Sequence, residues 1–382
     1  MKLLIKTLYG LEQVLADEIR ELGGQQVKTI KRAVDCEGNL EFLYRANYCL
    51  RTALKVLRPI YSFQARNEKQ LYDQIRKFDW SAVMDVSQTF AIDNSIFSDF
   101  FKHSKFPTLK MKDAIADQFR DEVGRRPSVD TKRPDVQFDL HAWKDRFTVS
   151  MDSSGDTLNQ RGYRQRGHQA PLNEVLAAGM LKLAGWDKEI PLVDPMCGSG
   201  TILVEAALMG MNMPPQTLRK DFGFKNWKDF NPVIWNRVKA EADSATRRAA
   251  LDISGGDIDP RAVEMTKKSI KQLRIRGDIR VREVPFEQFL PKTKEGILIT
   301  NPPYGERIGP KEIQEFYKTI GDLLKSKFEG FDAWVLSSNT QALKHLKLRP
   351  SAKHTLYNGG LECKFQKYEL YAGTREPEEL PT

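Results

Sequence analysis

The stretch Ile190-Pro191-Leu192-Val193-Asp194-Pro195-Met196-Cys197-Gly198-Ser199-Gly200-Thr201 decides the fold. A short apolar run, Ile190–Val193, ends in a carboxylate and a glycine-punctuated loop, and the apolar segment Ile202–Met209 after it has the length of a helix. Glycines at 198 and 200 let the main chain turn sharply and let a ligand approach it closely. The helix start offers free N–H groups to a carboxylate. Nucleotide and flavin sites use similar turns, and many such turns hold no ligand, so the loop alone names nothing. Neither the dinucleotide spacing G-x-G-x-x-G nor the G-K-[ST] of a P-loop is present in the chain.

Downstream the same rhythm of apolar run, loop and helix recurs at Leu251–Gly255, Ile279–Val284, Gly296–Thr300 and Ala333–Ser337, which is the pattern of an open, mostly parallel sheet. Leu361–Tyr371 reads as a closing strand after the turn Asn358-Gly359-Gly360. The Leu251–Gly255 run leads into Gly256-Asp257-Ile258-Asp259-Pro260. A carboxylate at such a strand tip suits a ribose diol, so Asp257 is assigned to ribose and Ile258 to an adenine face. Asp259, before Pro260, caps the next helix. The Gly296–Thr300 run ends in Asn301-Pro302-Pro303-Tyr304, where two prolines stop the strand and make a rigid loop at its carboxyl end. That loop suits transfer to an aromatic amine, whose lone pair is delocalised into its ring. The Asn301 amide oxygen and the Pro302 carbonyl each accept an amino hydrogen and redirect the lone pair, while Tyr304 stacks on the base. A plain proline turn is the alternative for these four residues taken alone; their place behind a strand, at the right distance from the two earlier loops, argues against it.

Before residue 160 the pattern differs. Short strands over Met1–Leu8, Val27–Val34, Gln88–Ser95, Gln137–Ala142 and Arg146–Asp152 alternate with helices over Leu11–Leu22, Tyr44–Leu54, Glu68–Lys77 and Met111–Val123, which predicts an α+β module. Met211–Leu251 is long for a connection and reads as an inserted helical cap, with Trp227 and Trp235 more at home in its core than as base platforms. No run is long and apolar enough to span a membrane, and the N-terminal residues do not form a signal peptide, so a cytoplasmic location is expected. Four scattered cysteines give neither a disulfide framework nor a zinc pattern, and no metal is expected.

The net charge of +9 is spread unevenly. Residues 161–168 carry three Lys/Arg and no acid, against 25 and 23 before them and 32 and 28 after them. Arg161, Tyr163, Arg164 and Arg166 join cations to an aromatic and suit irregular RNA; a linker that merely packs is an equal reading for Tyr163. Lys102–Lys112 is also free of acids, so Lys105, Lys110 and Lys112 are candidate phosphate contacts, with a solvated loop as the alternative.

With Asp194–Thr201, Asp257 and Asn301–Tyr304 in this order, the second half resembles class I amino-methyltransferases. The whole chain, over residues 1–373, resembles the bacterial THUMP-domain methyltransferases of large-subunit ribosomal RNA, a guanine-N2 family often labelled as adenine-specific DNA methylases. Lys112-Asp113-Ala114-Ile115, Arg161-Gly162-Tyr163-Arg164, Ala170-Pro171-Leu172-Asn173-Glu174 and Asn301-Pro302-Pro303-Tyr304-Gly305-Glu306-Arg307 carry that resemblance. It implies an α/β architecture in which a ferredoxin-like part (residues 1–42), a THUMP-like RNA-binding domain (43–156) and a basic linker (157–164) precede a Rossmann-like catalytic domain (165–373) and a tail (374–382). It also implies S-adenosylmethionine as cofactor, held by Asp194, Cys197, Gly198, Ser199, Gly200, Thr201, Asp257, Ile258 and Asn301, and RNA as partner. Many class I enzymes carry an acid for the adenine amine after the third strand; Pro285-Phe286 stands there, so backbone near Phe286, or Glu287, takes that role. Adenine-N6 methylation of DNA or RNA, and a non-catalytic ribosome-assembly role, are the competing functions.

Overall fold

A computed structural model describes residues 1–103, 105–164, 172–275, 279–305 and 309–371. The chain divides into two compact units: residues 1–7, 15–160 and 216–243 form the first, and residues 8–14, 161–215 and 244 onward the second. In the first, strands β1 (Lys2–Lys6), β2 (Gln25–Ile30), β3 (Ala33–Glu37), β4 (Lys55–Gln64), β5 (Phe90–Phe97), β6 (Val136–Trp143) and β7 (Arg146–Asp152) make one sheet in the order β2-β3-β1-β4-β7-β6-β5. Only β5 and β6 run parallel; the other neighbours are antiparallel. Helices α1 (Glu12–Glu21), α2 (Leu40–Cys49), α3 (Glu68–Ile75) and α4 (Lys105–Val123) accompany it. Asn39 and Asn67 start α2 and α3 by accepting the Phe42 and Gln70 backbone N–H groups. The core gathers Leu15, Ile19, Tyr44, Trp80, Phe138 and Phe147.

The second unit is the expected open sheet. Strands β8 (Leu192–Asp194), β9 (Ile253–Asp257), β10 (Ile279–Glu283), β11 (Gly296–Thr300) and β12 (Phe331–Ser337) are parallel, and the hairpin β13 (Ala352–Asn358) and β14 (Leu361–Glu369) closes it antiparallel, in the order β10-β9-β8-β11-β12-β14-β13. The hairpin turns at Gly359, whose φ of +63° favours glycine. The helices of this unit are α5 (Glu174–Leu183), α6 (Thr201–Gly210), α8 (Pro260–Gln272), α9 (Pro310–Lys327) and the short α10 (Thr340–Lys344), while α7 (Pro232–Ser244) lies almost wholly in the first unit. Strand β8 pairs with β9 on one side and β11 on the other, so strand order reverses beside it. Ligand crevices in such sheets open at the carboxyl ends of the strands flanking that reversal, here at Asp194 and Thr300.

The structure departs from the sequence reading at several elements. The single strand read over Val27–Val34 is a hairpin, because the chain reverses at Lys31-Arg32, with Arg32 at a φ of +61°. Strand β4 was not expected; Pro59 breaks its alternation, and the sheet absorbs the proline at a register shift between Pro59 and Tyr61. The helix read over Tyr44–Leu54 runs instead from Leu40 to Cys49, and α4 starts at Lys105, six residues before the expected Met111. Pro107 sits in its first turn, where a backbone N–H has no helical acceptor to lose. The largest correction concerns Met211–Leu251, which does not cap the parallel sheet. Residues 216–243 belong to the first unit, where Phe224 lies 4.5 Å from Tyr44 and Trp235 lies 5.6 Å from Tyr48, ring centre to ring centre. The Tyr48 hydroxyl donates to Asp243, and the Asn231 N–H to the Tyr44 oxygen. This aromatic face fills the apolar face of α2, and Trp227 and Trp235 are buried in it.

Candidate active site

Three loops meet at the carboxyl ends of β8, β9 and β11. The Asp194 carboxylate is buried at the end of β8 and accepts from the Thr300 hydroxyl of β11 at 2.9 Å, which ties the first loop to the strand carrying Asn301. Burial pushes Asp194 up to about 7, with the Asp257 charge adding to the rise and the Thr300 bond opposing it. The loop then turns through Gly198 (φ +53°) and Gly200 (φ +75°) into α6, and the Cys197 N–H donates to Gly256 O at 2.8 Å. A Cβ on Gly200 would stand 2.2 Å from Thr266 of α8, whereas one on Gly198 would meet no described atom within 4 Å. The loop is therefore packed on its α8 side and open at Gly198.

Asp257 joins the first two loops. Its Oδ2 accepts from Gly198 N–H at 2.7 Å and its Oδ1 from Asp259 N–H at 2.9 Å. A carboxylate has about four acceptor positions, so two remain for hydroxyls. Asp259 caps α8 through the Arg261 N–H, while Ile258 beside it is 73% exposed. Thr266, unread in the sequence, donates to Gly198 O at 3.2 Å and Ala262 O at 3.0 Å and fixes the turn from behind. The Phe286 side chain is buried, with its ring 5.8 Å from Phe328, so only its backbone remains for recognition. The Cys197 thiol is buried and burial raises its pKa, which leaves it no nucleophilic role; its backbone N–H, bonded to Gly256 O, joins the first loop to the second. The fit to S-adenosylmethionine thus rests on an open glycine turn at a helix start, a buried carboxyl and a second carboxylate with acceptor capacity to spare.

The Asn301–Tyr304 loop is clamped by residues that the sequence did not reveal. Tyr317 of α9 donates to Pro303 O at 3.2 Å and shares a 2.7 Å hydrogen bond with Ser337 of β12; Asn339 donates to Tyr304 O at 3.0 Å. Among the described residues no donor meets the Pro302 carbonyl. The Tyr304 hydroxyl donates to Asn301 Oδ1 at 2.6 Å and lies near Asn358 and Cys363 of the closing hairpin. One of the two lone pairs of the Asn301 amide oxygen is therefore held by Tyr304 in this state.

The structure corrects the expectation that Arg161 and Tyr163 face RNA. Both are buried, and the Glu205 carboxylate of α6 accepts from the Tyr163 hydroxyl at 2.8 Å and from Arg161 Nε at 3.4 Å. Ser269 and Gln272 of α8 hold the backbone at Tyr163 and Gly162, so this segment straps the catalytic domain. Arg164 is half-buried and spends its guanidinium on Leu172 O and Glu174. Arg166, Ala170-Pro171 and Glu306-Arg307 lie outside the described residues. Lys105, Lys110 and Lys112 sit on the first turns of α4 and not on a loop before it; Lys112 pairs with Asp113, and Lys110 lies 4.0 Å from Glu68 and over the Phe106 ring.

Residues 161–367 match the domain family described as the RMKL-like methyltransferase domain, residues 65–152 a THUMP domain, and residues 2–57 the RlmL ferredoxin-like domain. The chain belongs to the RMKL-like methyltransferases. It is 40% identical over 364 residues to a Synechocystis protein provisionally named an RNA methyltransferase, covering 95% of each chain. It is 37% identical to the ribosomal RNA large subunit methyltransferase K/L of Syntrophotalea carbinolica over 94% of this chain and 52% of that one. The chain thus spans about half the length of the K/L relatives. Among solved structures, a protein provisionally assigned as a methyltransferase and bound to S-adenosylhomocysteine aligns with a TM-score of 0.86 at 28% identity, over 98% of this chain and 99% of that one. A Listeria monocytogenes protein predicted to be an N6-adenine-specific DNA methylase aligns equally well, with a TM-score of 0.86 at 27% identity, over 97% and 96% of the two chains. This RMKL-like methyltransferase uses S-adenosylmethionine, joined to a THUMP domain and a ferredoxin-like part, as the motifs and the implied fold anticipated. No helix among the described residues is long and apolar enough to cross a membrane.

Proposed function

We propose that this methyltransferase acts on RNA, and that its product is N2-methylguanine in large-subunit ribosomal RNA. The observation that carries amine transfer is the clamped Asn301–Tyr304 loop at the end of β11, tied through Thr300 to the buried Asp194. The THUMP match and the names of the K/L relatives support the RNA and the base. S-adenosylmethionine supplies a methyl group on a sulfonium. Asp257 would hold the ribose diol with its two remaining acceptor positions, and the turn, whose Cys197, Gly198 and Gly200 N–H groups are bonded within the protein, would offer those of Ser199 and Thr201 to the carboxylate end, while Ile258 and the backbone near Phe286 would enclose the adenine. Asn301 Oδ1 and Pro302 O accept the two amino hydrogens of the target base, which turns the nitrogen lone pair out of conjugation. Tyr304 leaves Asn301 and stacks on the base, which is flipped from its helix. The proton leaves to solvent after transfer. Within the chain we assign RNA gripping to residues 43–156, with Lys105, Lys110 and Lys112 as contacts and Arg166, beyond that domain, as a further one, residues 1–42 to its ferredoxin-like support, and catalysis to residues 165–373. The protein works in the cytoplasm, where ribosomes mature.

Mass spectrometry of nuclease-digested large-subunit RNA from cells lacking the protein tests this reading. One N2-methylguanosine is expected to disappear. Loss of an N6-methyladenosine instead would transfer the same loop to the adenine chemistry of the Listeria protein's name.

A further inference from the structure

Helix α8 and the strand after it carry a charge imbalance that the active site does not use. Residues 260–295 hold ten Lys/Arg against five Asp/Glu in a chain whose net charge is +9. In the fold this excess converges on a groove of about 490 Å³ lined by Lys267, Lys271, Arg280, Arg282 and Lys292 around a floor of Ile270, Ile279 and Val281. No described residue lining it is acidic. Lys267, Lys271, Arg282 and Lys292 are exposed; Arg280 is engaged by Asp252, and Arg282 lies over the Phe289 ring at 5.5 Å.

Cations on an edge strand also guard against edge-to-edge pairing, and β10 is an edge strand, with β9 as its described neighbour. Edge protection needs charges on the strand alone. Here Lys267 and Lys271 come from α8 and Lys292 from the approach to β11, so three elements supply cations to one concavity. One end of the groove lies near the catalytic centre, since in register Arg282 stands opposite Gly256 and Glu283 opposite Asp257, and from there it extends along β10 to Ile279 at the start of the strand. We infer that this groove is a second RNA-binding surface, one that holds the sugar-phosphate backbone flanking the target base and is separate from the THUMP domain. Phosphates take the lysines and Arg282, and the apolar floor accepts sugar faces. The reading rests on RNA as the substrate.

The test is the full-length triple variant Lys267→Gln/Lys271→Gln/Lys292→Gln, with unmodified large-subunit ribosomal RNA as probe. RNA affinity, measured across a salt series, is expected to fall about tenfold or more, and the slope of log affinity against log salt to shrink by about 2, near 0.7–0.9 per lost phosphate contact. KM for RNA rises while kcat at saturating RNA and S-adenosylmethionine affinity stay at wild-type values. An unchanged salt slope and KM overturn the proposal, as does a variant that keeps its RNA affinity but self-associates, which assigns the charges to edge protection. If the wild-type protein methylates duplex DNA and ignores RNA, the substrate reading fails together with the groove.

Discussion

Asp257 offers the sharpest test of the cofactor site, because its two oxygens are already committed to backbone. Gly198 and Asp259 N–H groups each hold one oxygen, leaving one free acceptor position on each for a ribose hydroxyl. Asp257→Asn keeps the shape, removes the charge and turns one acceptor into a donor. Hydrogen bonds to a charged group contribute about 1.5–3 kcal/mol each. The site is half-buried, so the lower figure applies, and losing one ribose bond weakens S-adenosylmethionine binding about tenfold. Asp257→Ala loses both bonds and releases the Gly198 turn, for a loss of about 3 kcal/mol or about 100-fold. Titration calorimetry with S-adenosylmethionine reads both values, and a thermal melt without ligand checks that the variants are folded. A folded alanine variant that binds within about threefold of wild type would refute the ribose assignment.

Tyr304 separates stacking from its hydroxyl bond. Tyr304→Phe keeps the ring and frees Asn301 Oδ1, so kcat is expected to stay within about tenfold of wild type, whereas Tyr304→Ala lowers it by about 100-fold through loss of base positioning; equal losses in single-turnover assays would contradict the stacking role. Asp194 makes stability depend on pH. Its folded pKa is raised from 3.8 to about 7, so the folded state keeps a proton that the unfolded chain has lost, and the contribution present below about 4 declines as pH rises through 7. Melting midpoints are therefore expected to fall more between pH 5 and 8 in the wild type than in Asp194→Asn, and parallel profiles would count against this. Arg161→Met leaves the buried Glu205 without its cation and is expected to destabilise the catalytic domain by about 3–5 kcal/mol, read as a lower thermal midpoint; an unchanged midpoint would return Arg161 to the surface role.

The catalytic sheet was legible because β8, β9 and β11 are apolar runs that stop at Asp194, Asp257 and Asn301, so each strand end announced itself through a carboxylate or a proline pair. The first unit was less so. Pro59 hid β4, and nothing local shows that Trp235 and Phe224, more than 170 residues after Tyr44, complete its core. Arg161 and Tyr163 misled because an acid-free segment with glycines at 162 and 167 looks solvated. The missed signal was Glu205, the one acid in the apolar helix Thr201–Gly210, whose burial demands a partner. Tyr317, which holds Pro303, and Asn339 and Asn358, which hold Tyr304, come from separate elements, and only the fold joins them to the loop. The basic run through α8 and β10 was countable from sequence, but a groove exists only once α8 lies beside the edge strand.

The proposed reaction is methyl transfer at Asn301 to the amine of guanine in ribosomal RNA. It is tested most directly by incubating purified protein with S-adenosylmethionine carrying a labelled methyl group and unmodified large-subunit RNA, then digesting the RNA and identifying the labelled nucleoside. Labelled N2-methylguanosine is expected with the wild type and none with Asn301→Ala, whose S-adenosylmethionine affinity stays near wild type. Label in N6-methyladenosine, or equal transfer by Asn301→Ala, would contradict that reaction.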